Sequence, residues 1–589
     1  MRILANRRMA GALSGAVLLF LVLFAIARIL AADQTIAQGF DEPCHIAAGM
    51  KWLDEHDYTL DPLHPPLARD AIALPLYLAG ERFPEIKPEE GLQGYCTELG
   101  NTILSNGGRY RRNLSLARAG VLPFLCVCAI LVFLWAGQEG GKWVGCVASF
   151  LFLTHPSVLA FSGLAYTDAP TMCTQFAAIF AFAMWLKKPT RTHMILLGVA
   201  VGLALSSKLT SFLFLPSAFA AMALVKLLFV RRENKETTTE RTGMKQAASL
   251  LAATCIAMAV LWGSYAFSVG RLDSALALSQ ASQRAGGSGS VWRRVRMADP
   301  VIPAPDLIRG MHVALQKNER EPESYLLGNA RSGGWWYFFP VAVALKTPLP
   351  VLILALIGLL FVLQRARQDD WPALLPPVAV AAVFGVTAFV TLQVGTRHVL
   401  VVLPILSVLA GWGAALLWSS PGVRRRWGRA ALVLLLAWQT AATIRAQGDL
   451  LAYFNELAPA DPGEVLVKGC DLDCGQDVFR LREELRLRGV ARLGIGVCTS
   501  ADLALADFPT LDILPPRKAV VGWVAVSVRA LKTGSFRIYQ NGRGSPNEQY
   551  PHDALSWLEK YRPIARVGKT IFLYYIPEKS VGDPTQASR

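Results

Sequence analysis

Two adjacent carboxylates follow the first apolar run of the chain. Asp41 and Glu42 stand in the segment FDEPCHIAAG, residues 40–49, of a 589-residue protein whose formal net charge is +16. An acid at the start of a helix can cap that helix, so capping is one interpretation of Asp41. A carboxylate can also accept a proton from a reacting hydroxyl group. Which of these two roles Asp41 has depends on the charged groups that lie near it in the folded protein.

The composition is that of a membrane protein. Hydrophobic residues make up 53% of the chain and charged residues 17%, against about 25% charged residues in soluble proteins. Membrane proteins gather Lys and Arg at their cytoplasmic edges, which accounts for the basic excess. No basic stretch carries a nucleic-acid recognition motif. We therefore predict membrane lipids, and no nucleic acid, as partners.

Eleven apolar runs approach the roughly 20 residues that a spanning helix needs. They lie at about 10–31, 114–136, 143–163, 170–186, 194–207, 211–230, 247–269, 341–364, 373–392, 399–418 and 429–445. The first run could pass for a signal peptide, but it is long and lacks a convincing cleavage site, so we interpret it as a retained span.

Basic clusters predict the sidedness of these spans. KKPTRTH (187–193) and RRENK (231–235) are typical of cytoplasmic loops, so an even number of crossings separates them. Two short spans with an outer turn at SSKLTS (206–211) satisfy this condition. The same logic places QVGTRH (393–398) at an outer turn. Eleven crossings that begin inside leave the C-terminus outside.

Three sizeable segments are then external, at about 32–112, 270–340 and 446–589. The last has the pattern of a small α/β domain. ARLGIGV, VVGWVAVSV and KTIFLYYIP resemble strands, whereas DVFRLREELRLRG and PHDALSWLEKYRP resemble helices. We predict a polytopic α-helical module over 1–445 and a soluble external domain over 446–589.

Five of the ten cysteines lie in polar segments that this topology places outside: Cys44, Cys96, Cys470, Cys474 and Cys498. In an oxidising compartment such cysteines form disulfides. Cys44 could pair with Cys96, and the segment CDLDC with Cys498 permits one disulfide and leaves one thiol. Unpaired cysteines remain an alternative, because sequence alone does not define connectivity.

Further ionisable residues recur at the outer turns, where the topology rule leaves cations scarce: His64, Arg69, Asp168, Lys208, Lys346 and Arg397. A charged group beside an apolar run costs free energy in a membrane unless it is paired or faces a polar cavity. A lipid-linked phosphate ester is a substrate that would need both acidic and basic side chains. Fixed cations stabilise the departing phosphate, and a carboxylate takes the proton of the attacking hydroxyl group.

Several segments carry a family resemblance. DEPCHIAAGMKWLDEHDYTLDPLHPPLAR, YTDAPT, SSKLTS, YLLGNARSGGWWYFFPVAVALKTPLP, GTRHVLVVLPIL, and LLAYFNELA through CDLDCGQD occur in the family's order. With them the chain resembles the GT-C class of membrane glycosyltransferases, near the protein O-mannosyltransferases and aminoarabinose transferases. It is most similar to the bacterial phospholipid carrier-dependent glycosyltransferases. Cys470 and Cys474 depart from the Ser and Trp expected there.

The resemblance implies a GT-C fold of about 11 spans with a C-terminal periplasmic α/β domain. It implies transfer of a sugar from a polyprenyl-phosphate donor to a glycan, lipid or protein acceptor, with inversion, at the periplasmic face of a bacterial inner membrane. Sugar, acceptor and oligomeric state stay open.

The resemblance also implies roles for individual residues. Asp41 is the expected catalytic base, Glu42 assists it, and Asp168 serves the acceptor or holds a cation in place. The expected phosphate ligands are Lys208, then Arg397, with Arg69, Lys346 and His64. His64 stands where aminoarabinose transferases carry a lysine before two prolines.

Plainer interpretations accompany each of these roles. Asp41 and Asp168 could be helix caps, Lys208 a snorkelling lysine, Arg397 an interfacial anchor and His64 an ordinary loop residue. Asp471 and Asp473 form a D-x-D pattern that only weakly suggests a metal. We assign no metal ligand and no certain cofactor, although a divalent metal is possible. A lipid or lipid-linked sugar transporter or flippase, or a membrane-tethered binding protein, is the alternative function.

Overall fold

The computed structural model describes most of the chain. The described ranges are 2–85, 95–232, 240–272, 299–319, 324–419, 421–422, 424–467, 469–540, 543–544 and 548–578. Part of the predicted external segment 270–340 and part of the cytoplasmic loop that begins with RRENK lie outside these ranges.

Apolar helices form the larger part of the molecule. Seven in the described part are long and apolar enough to cross a membrane: Gly11–Asp33, Tyr110–Gly140, Asp168–Lys187, Ser211–Phe229, Gly243–Ser264, Leu349–Ala366 and Val402–Ser419. A further pair, Lys142–Leu153 and Pro156–Ser162, is bent by 66°. Proline at 156 cannot supply the amide that would continue the first helix into the second. Arg191–Leu205, Trp371–Thr387 and Arg424–Arg445 occupy the remaining predicted runs.

Helices therefore occupy all eleven predicted runs, but the runs 143–163 and 341–364 are each divided between two helices. The number of crossings stays a prediction. The predicted fold class, a polytopic helical membrane protein with a C-terminal domain that contains sheets, is confirmed. The division at residue 445 stays a prediction.

Two long helices that follow predicted external turns pack backbone against backbone. A Cβ atom at Gly358 would lie 2.0 Å from the carbonyl oxygen of Leu409, and one at Gly413 would lie 2.0 Å from that of Leu354. Small residues permit this close approach between membrane helices. The contact joins Leu349–Ala366, which follows Lys346, to Val402–Ser419, which follows Arg397.

The first of the predicted external segments forms a helical layer. Its helices are Glu42–Glu55, Pro66–Leu78 and Tyr95–Ser105. They share a core that includes Ile46, Met50, Ile72 and Leu99. A disulfide between Cys44 and Cys96 ties the first helix to the third. The N-terminal end of Glu42–Glu55 is therefore held on two sides.

The C-terminal part contains a five-stranded sheet in the order Ala565–Val567, Ile571–Ile576, Gly522–Ser527, Arg492–Gly496 and Thr510–Ile513. Arg492–Gly496 is parallel to both of its neighbours, and the other pairs are antiparallel. The helix Val478–Leu487 buries Leu481 and Leu485 in the core beneath this sheet. A second sheet combines Cys498–Asp502, Ser535–Gln540, Arg543–Gly544 and Glu548–Gln549.

The remaining described elements are short or peripheral. They are the strand pairs Val269–Arg271 with Val301–Pro303 and Ser324–Leu326 with Asn329–Arg331, and the helices Pro305–Glu319, Phe338–Lys346 and Val528–Thr533.

One predicted element of the C-terminal part is wrong. The segment PHDALSWLEKYRP contains a 3₁₀ turn over Ser556–Lys560 and no α-helix. Burial of Leu555 and Leu558 needs only this turn. Pro563 disfavours helical geometry in the residue before it, so the turn does not extend.

Candidate active site

Asp41 pairs with Arg397 from the other end of the membrane module. Asp41 occupies the N-cap position of the helix Glu42–Glu55 but makes no side-chain capping hydrogen bond. Its Oδ2 accepts a hydrogen bond from Arg397 Nη1 at 2.5 Å. The Asp41 side chain is 34% exposed. The capping interpretation of its carboxylate is therefore wrong.

The ion pair determines the charge state of both groups. Burial alone would raise the pKa of Asp41, but Arg397, His45 and His64 hold it below its ordinary value. Burial would lower the pKa of Arg397, but Asp41 and then Asp168 hold it above its ordinary value. Asp41 is consequently ionised, and Arg397 lies in the field of two carboxylates. Within the described part of the chain, the Nε of Arg397 has no hydrogen-bond partner.

The turn that carries Arg397 is shaped by the C-terminal part of the chain. Asp471 accepts from the backbone amide of Thr396 at 2.9 Å and from its hydroxyl group at 2.5 Å. Gly395 has φ +92°, and a Cβ atom there would lie 2.6 Å from Asp471 Oδ2. Only glycine accommodates this conformation and this contact without strain.

Lys208 and Asp168 form a second ion pair beside the first. Lys208 Nζ lies 2.5 Å from Asp168 Oδ1. Asp168 begins the helix Asp168–Lys187, and Lys208 stands in the break between Arg191–Leu205 and Ser211–Arg232. The helix that Asp168 begins packs against the turn that carries Arg397, and the charges of Asp41 and Asp168 both act on Arg397, so the two pairs form one cluster. The sequence-based expectation that an acid and several cations converge is met for these four residues.

His64 and Arg69 lie at a rigid corner next to this cluster. His64 Nδ1 is 2.8 Å from Asp61 Oδ2, and the charge of Lys208 acts on the His64 ring. Arg69 is buried and donates from Nη1 to the backbone carbonyl of Asp61 at 2.7 Å. The backbone amide of Leu67 donates to the carbonyl of Ser206 at 3.0 Å, which joins the corner to the break that carries Lys208.

Glu42 faces away from this cluster. Its carboxylate is fully buried and accepts from Arg118 Nε at 2.8 Å and Nη2 at 2.7 Å. The backbone amides of Gly39 and Ala165 each donate to it at 2.6 Å. Arg118 also pairs with Asp33. The sequence analysis missed Arg118, since an arginine on a predicted membrane helix gave no sign of its partners.

Lys346 is tied to backbone groups. Its Nζ donates to the carbonyl oxygens of Leu451 at 2.7 Å and Asp471 at 2.5 Å, and it lies 4.3 Å from the centre of the Phe454 ring. Burial lowers the pKa of Lys346 to about 8, and Asp471 opposes the shift. Lys346 thus holds the same residue, Asp471, that shapes the Arg397 turn.

Tyr166 stands at the centre of the cluster, and the sequence analysis did not single it out. It is fully buried, and its hydroxyl accepts from the backbone amide of Asp41 at 3.1 Å. The same hydroxyl is 2.9 Å from the Sγ of Cys474, in a disulfide that joins Cys470 and Cys474. The guanidinium of Arg397 lies 5.7 Å from its ring centre.

Among the residues that the structure describes, one group has the composition and spacing of a metal site. His45, Asp61 and His64 each offer a ligand atom within 4.8 Å of the other two. The D-x-D residues Asp471 and Asp473 are not part of such a group.

Fold and site together define a membrane enzyme with an acid and fixed cations at one shared centre. Residues 17–272 match the family model of dolichyl-phosphate-mannose-protein mannosyltransferases. This span contains Asp41, Asp168 and Lys208, and it covers somewhat less than half of the chain. The match over this span supports the predicted class, a membrane glycosyltransferase that uses a lipid-phosphate donor.

Two solved structures show remote similarity. ArnT from Cupriavidus metallidurans bound to undecaprenyl phosphate has 12% identity and a TM-score of 0.43, with 72% of this chain and 70% of that one covered. The archaeal oligosaccharyltransferase AglB from Archaeoglobus fulgidus, in complex with an inhibitory peptide and a dolichol-phosphate, has 12% identity and a TM-score of 0.46. The coverage is 97% of this chain and 75% of that one. No curated protein sequence matches the chain.

Proposed function

We propose that the protein is an inverting glycosyltransferase that moves a sugar from a polyprenyl-phosphate donor to a hydroxyl acceptor. Asp41 is the base, and Lys208 and Arg397 bind the donor phosphate. The observation that carries this proposal is the cluster of two ion pairs, Asp41 with Arg397 and Lys208 with Asp168. A proton acceptor beside two cations is the combination that transfer of one phosphosugar requires.

The reaction balances with these groups. The acceptor hydroxyl oxygen forms a bond to the anomeric carbon while the bond from that carbon to the phosphate oxygen breaks. The hydroxyl proton passes to Asp41, and free polyprenyl phosphate leaves with the negative charge that Lys208 and Arg397 stabilise. Attack opposite to the leaving group inverts the anomeric configuration.

Arg397 links the base to the phosphate. Without donor, the Arg397 guanidinium holds the pKa of Asp41 below its ordinary value. Asp41 is then a weak base. A phosphate that engages the unpartnered Nε of Arg397 would share its charge and weaken the Asp41 interaction. The carboxylate then becomes a better proton acceptor when donor is bound.

The other predicted residues support these three. Asp168 holds Lys208, and His64 adjoins the phosphate side of the cluster. Arg69 and Lys346 donate to backbone carbonyls, so we assign them to positioning rather than to phosphate contact. Glu42, bound to Arg118, positions the segment that carries Asp41.

We also propose that the site faces the periplasm of a bacterial inner membrane, with 1–445 as the membrane module and 446–589 as the external domain. Two disulfides support this orientation, since Cys44–Cys96 and Cys470–Cys474 both lie on the side of the cluster. Disulfides persist in oxidising compartments.

The first test measures binding of undecaprenyl phosphate, the lipid product, to the purified protein, so that the unknown sugar is irrelevant. The double variant Asp168→Asn with Lys208→Met removes the pair without leaving an unpaired buried charge. We expect it to weaken binding at least about tenfold. Lys187→Met is the matched control, because Lys187 also pairs with a carboxylate, Glu139, at a helix end. Equal affinity in all three proteins contradicts the phosphate assignment.

The second test follows turnover. The protein is incubated with polyprenyl-phosphate sugars and a panel of glycan, lipid and peptide hydroxyl acceptors, and free polyprenyl phosphate is measured. Release that depends on the acceptor supports the proposal. Passage of intact donor across liposomes, without release of free polyprenyl phosphate, would instead establish a transporter.

A further inference from the structure

Three metal-ligating side chains meet beside the proposed phosphate cations. Asp61 Oδ2 is 2.8 Å from His64 Nδ1 and 3.6 Å from His45 Nδ1. The two imidazole rings are 4.6 Å apart and nearly perpendicular. One ligand atom from each residue lies within 4.8 Å of the other two. Small side-chain adjustments would bring all three to the roughly 2.0–2.2 Å at which His nitrogen and carboxylate oxygen bind a transition metal.

The scaffold holds these residues firmly. His45 lies in the helix Glu42–Glu55, next to the disulfide residue Cys44, and is 3% exposed. The backbone carbonyl of Asp61 is bound by Arg69. His64 precedes two prolines, the second of which begins the helix Pro66–Leu78. His45 thus lies on a helix, whereas Asp61 and His64 lie in the short segment between two helices, which Arg69 and the prolines restrain.

Two polar features of this group are incompletely satisfied. Among the described residues, the buried Nδ1 of His45 makes no hydrogen bond. The carboxylate of Asp61 is 9% exposed, and its ion-pair partners in the described part of the chain are the two imidazoles. The neighbouring acids Asp41, Glu42 and Asp168 each have an Arg or Lys. A buried carboxylate needs a compensating positive charge, and a metal ion would provide it and occupy His45 Nδ1.

We propose that His45, Asp61 and His64 bind one divalent transition-metal ion such as Zn²⁺ or Mn²⁺. Two imidazoles and one carboxylate on one side of an ion leave coordination positions open on the other. The corner that carries His64 is joined to the break that carries Lys208 by the hydrogen bond from the Leu67 amide to the Ser206 carbonyl, so the group lies beside the proposed phosphate site. Resting on the proposed function, we assign the open position to an oxygen of the donor phosphate, which His64 would then contact through the metal.

The test measures metal binding directly. Protein without an affinity tag is stripped with a chelator, desalted and titrated with Zn²⁺ against a chromophoric competitor. We expect one tight site per chain, weakened at least about tenfold by Asp61→Asn, His45→Gln or His64→Gln. His193→Gln is the matched control, since His193 bonds to the backbone of Lys188 away from the cluster. Failure of the wild type to bind Zn²⁺ or Mn²⁺ overturns the proposal, as does unchanged affinity in the three variants.

A second measurement does not depend on the stability of the variants. Co²⁺ is added to the stripped wild-type protein, and its visible absorption reports nitrogen and oxygen ligands rather than sulfur. A thiolate spectrum would place the metal at the cysteines and overturn the assignment.

The outcome is separable from the proposed function. Asp41→Asn is expected to keep the metal site and lose sugar transfer. A chain that binds Zn²⁺ at these residues but never consumes a polyprenyl-phosphate sugar would retain the metal site and refute the transferase proposal. A chain that binds no metal and transfers sugar at full rate after chelation would refute the metal site and retain the transferase proposal.

Discussion

Asp41 occupies a helix-capping position, but its side chain interacts with a residue far away in the sequence. It stands at the N-cap position, yet its carboxylate bonds to Arg397 instead of to the helix amides. Pro43 has no amide hydrogen to be capped, and the backbone amide of Asp41 is held by Tyr166. The carboxylate is therefore available to the site, while the backbone around it is restrained.

Asp41→Asn is expected to reduce sugar transfer by about 10²–10⁴-fold, because the amide cannot accept the hydroxyl proton. Turnover is measured as release of polyprenyl phosphate, and donor binding is expected to persist. Asp57→Asn is the matched control on the same external segment, where Asp57 pairs with Lys51. Transfer at the wild-type rate by the Asp41 variant rules out the base assignment.

Asp473 gives a pH-dependent prediction about stability. Burial raises its pKa to about 6, and the interactions with the Gly475 amide and with Ser527 only partly oppose this shift. The protonated form is favoured by folding, so its contribution is complete below the unfolded-state pKa near 4 and is lost as the pH rises through 6.

Asp473→Asn should therefore raise the free energy of unfolding at pH 7.5, by up to about 3 kcal/mol for a shift of two units. The gain should vanish near pH 4. Denaturation midpoints in detergent at both pH values check this expectation, with Asp512→Asn as an exposed control in the same domain. A gain that is equal at both pH values contradicts the burial argument.

At the scale of elements, the proposed site is built from helix ends and breaks. Asp168 begins a helix, Lys208 lies where two apolar helices are interrupted, and Arg397 lies in the short turn Thr396–Val399. Charged side chains at these points leave the helices themselves apolar. The helix that begins at Tyr110 contributes Arg118, which binds Glu42 and the carbonyl of Ala37 and so restrains the segment before Asp41.

Arg118→Gln is expected to lower the free energy of unfolding by about 3–5 kcal/mol, because it leaves the buried carboxylates of Glu42 and Asp33 without their cation. Thermal unfolding of the purified variant checks this value. Arg112→Gln is the control on the same helix. Arg112 is half-exposed, and Arg109 still pairs with the buried Glu81 in this variant, so the loss should be no more than about 1 kcal/mol. Similar losses in the two variants would show that the helix, and not the buried pair, is responsible.

At the scale of the whole molecule, the C-terminal part completes the site. Asp471 shapes the Arg397 turn, and the carbonyl of Gln476 accepts from the amide of Ala37 at 2.9 Å. Ser500 donates to the carbonyl of Gly39 at 3.2 Å. The proposed base and the proposed phosphate ligand are thus both restrained from the same side.

Asp471→Ala tests this coupling. It removes the carboxylate that bonds to Thr396 and should shift Arg397, and displacement of a catalytic group by about 1 Å can reduce turnover about 100-fold. Release of polyprenyl phosphate is compared with that of Asp512→Ala, an exposed aspartate that pairs with Arg492 in the same domain. Full turnover in the Asp471 variant would show that the domain does not order the site.

The amino-acid sequence by itself determined the features that depend on neighbouring residues. The eleven apolar runs, the helix Val478–Leu487 and the strands Arg492–Gly496, Gly522–Ser527 and Ile571–Ile576 follow from periodicity and residue type. The motifs in the first half also indicated the class of enzyme. The false helix after Pro551 shows the limit of local patterning, because the same residues suit a single buried turn.

Only the tertiary structure decided which charges meet. Arg118 and Tyr166 carry no local signal, and their partners lie 76 and 125 residues away. Glu42 and Lys346 looked like candidates for the chemistry, yet burial pairs one with Arg118 and the other with backbone carbonyls. The physical reason is that a side chain's composition fixes what it can bind, whereas long-range packing selects which partner it reaches and whether water remains beside it.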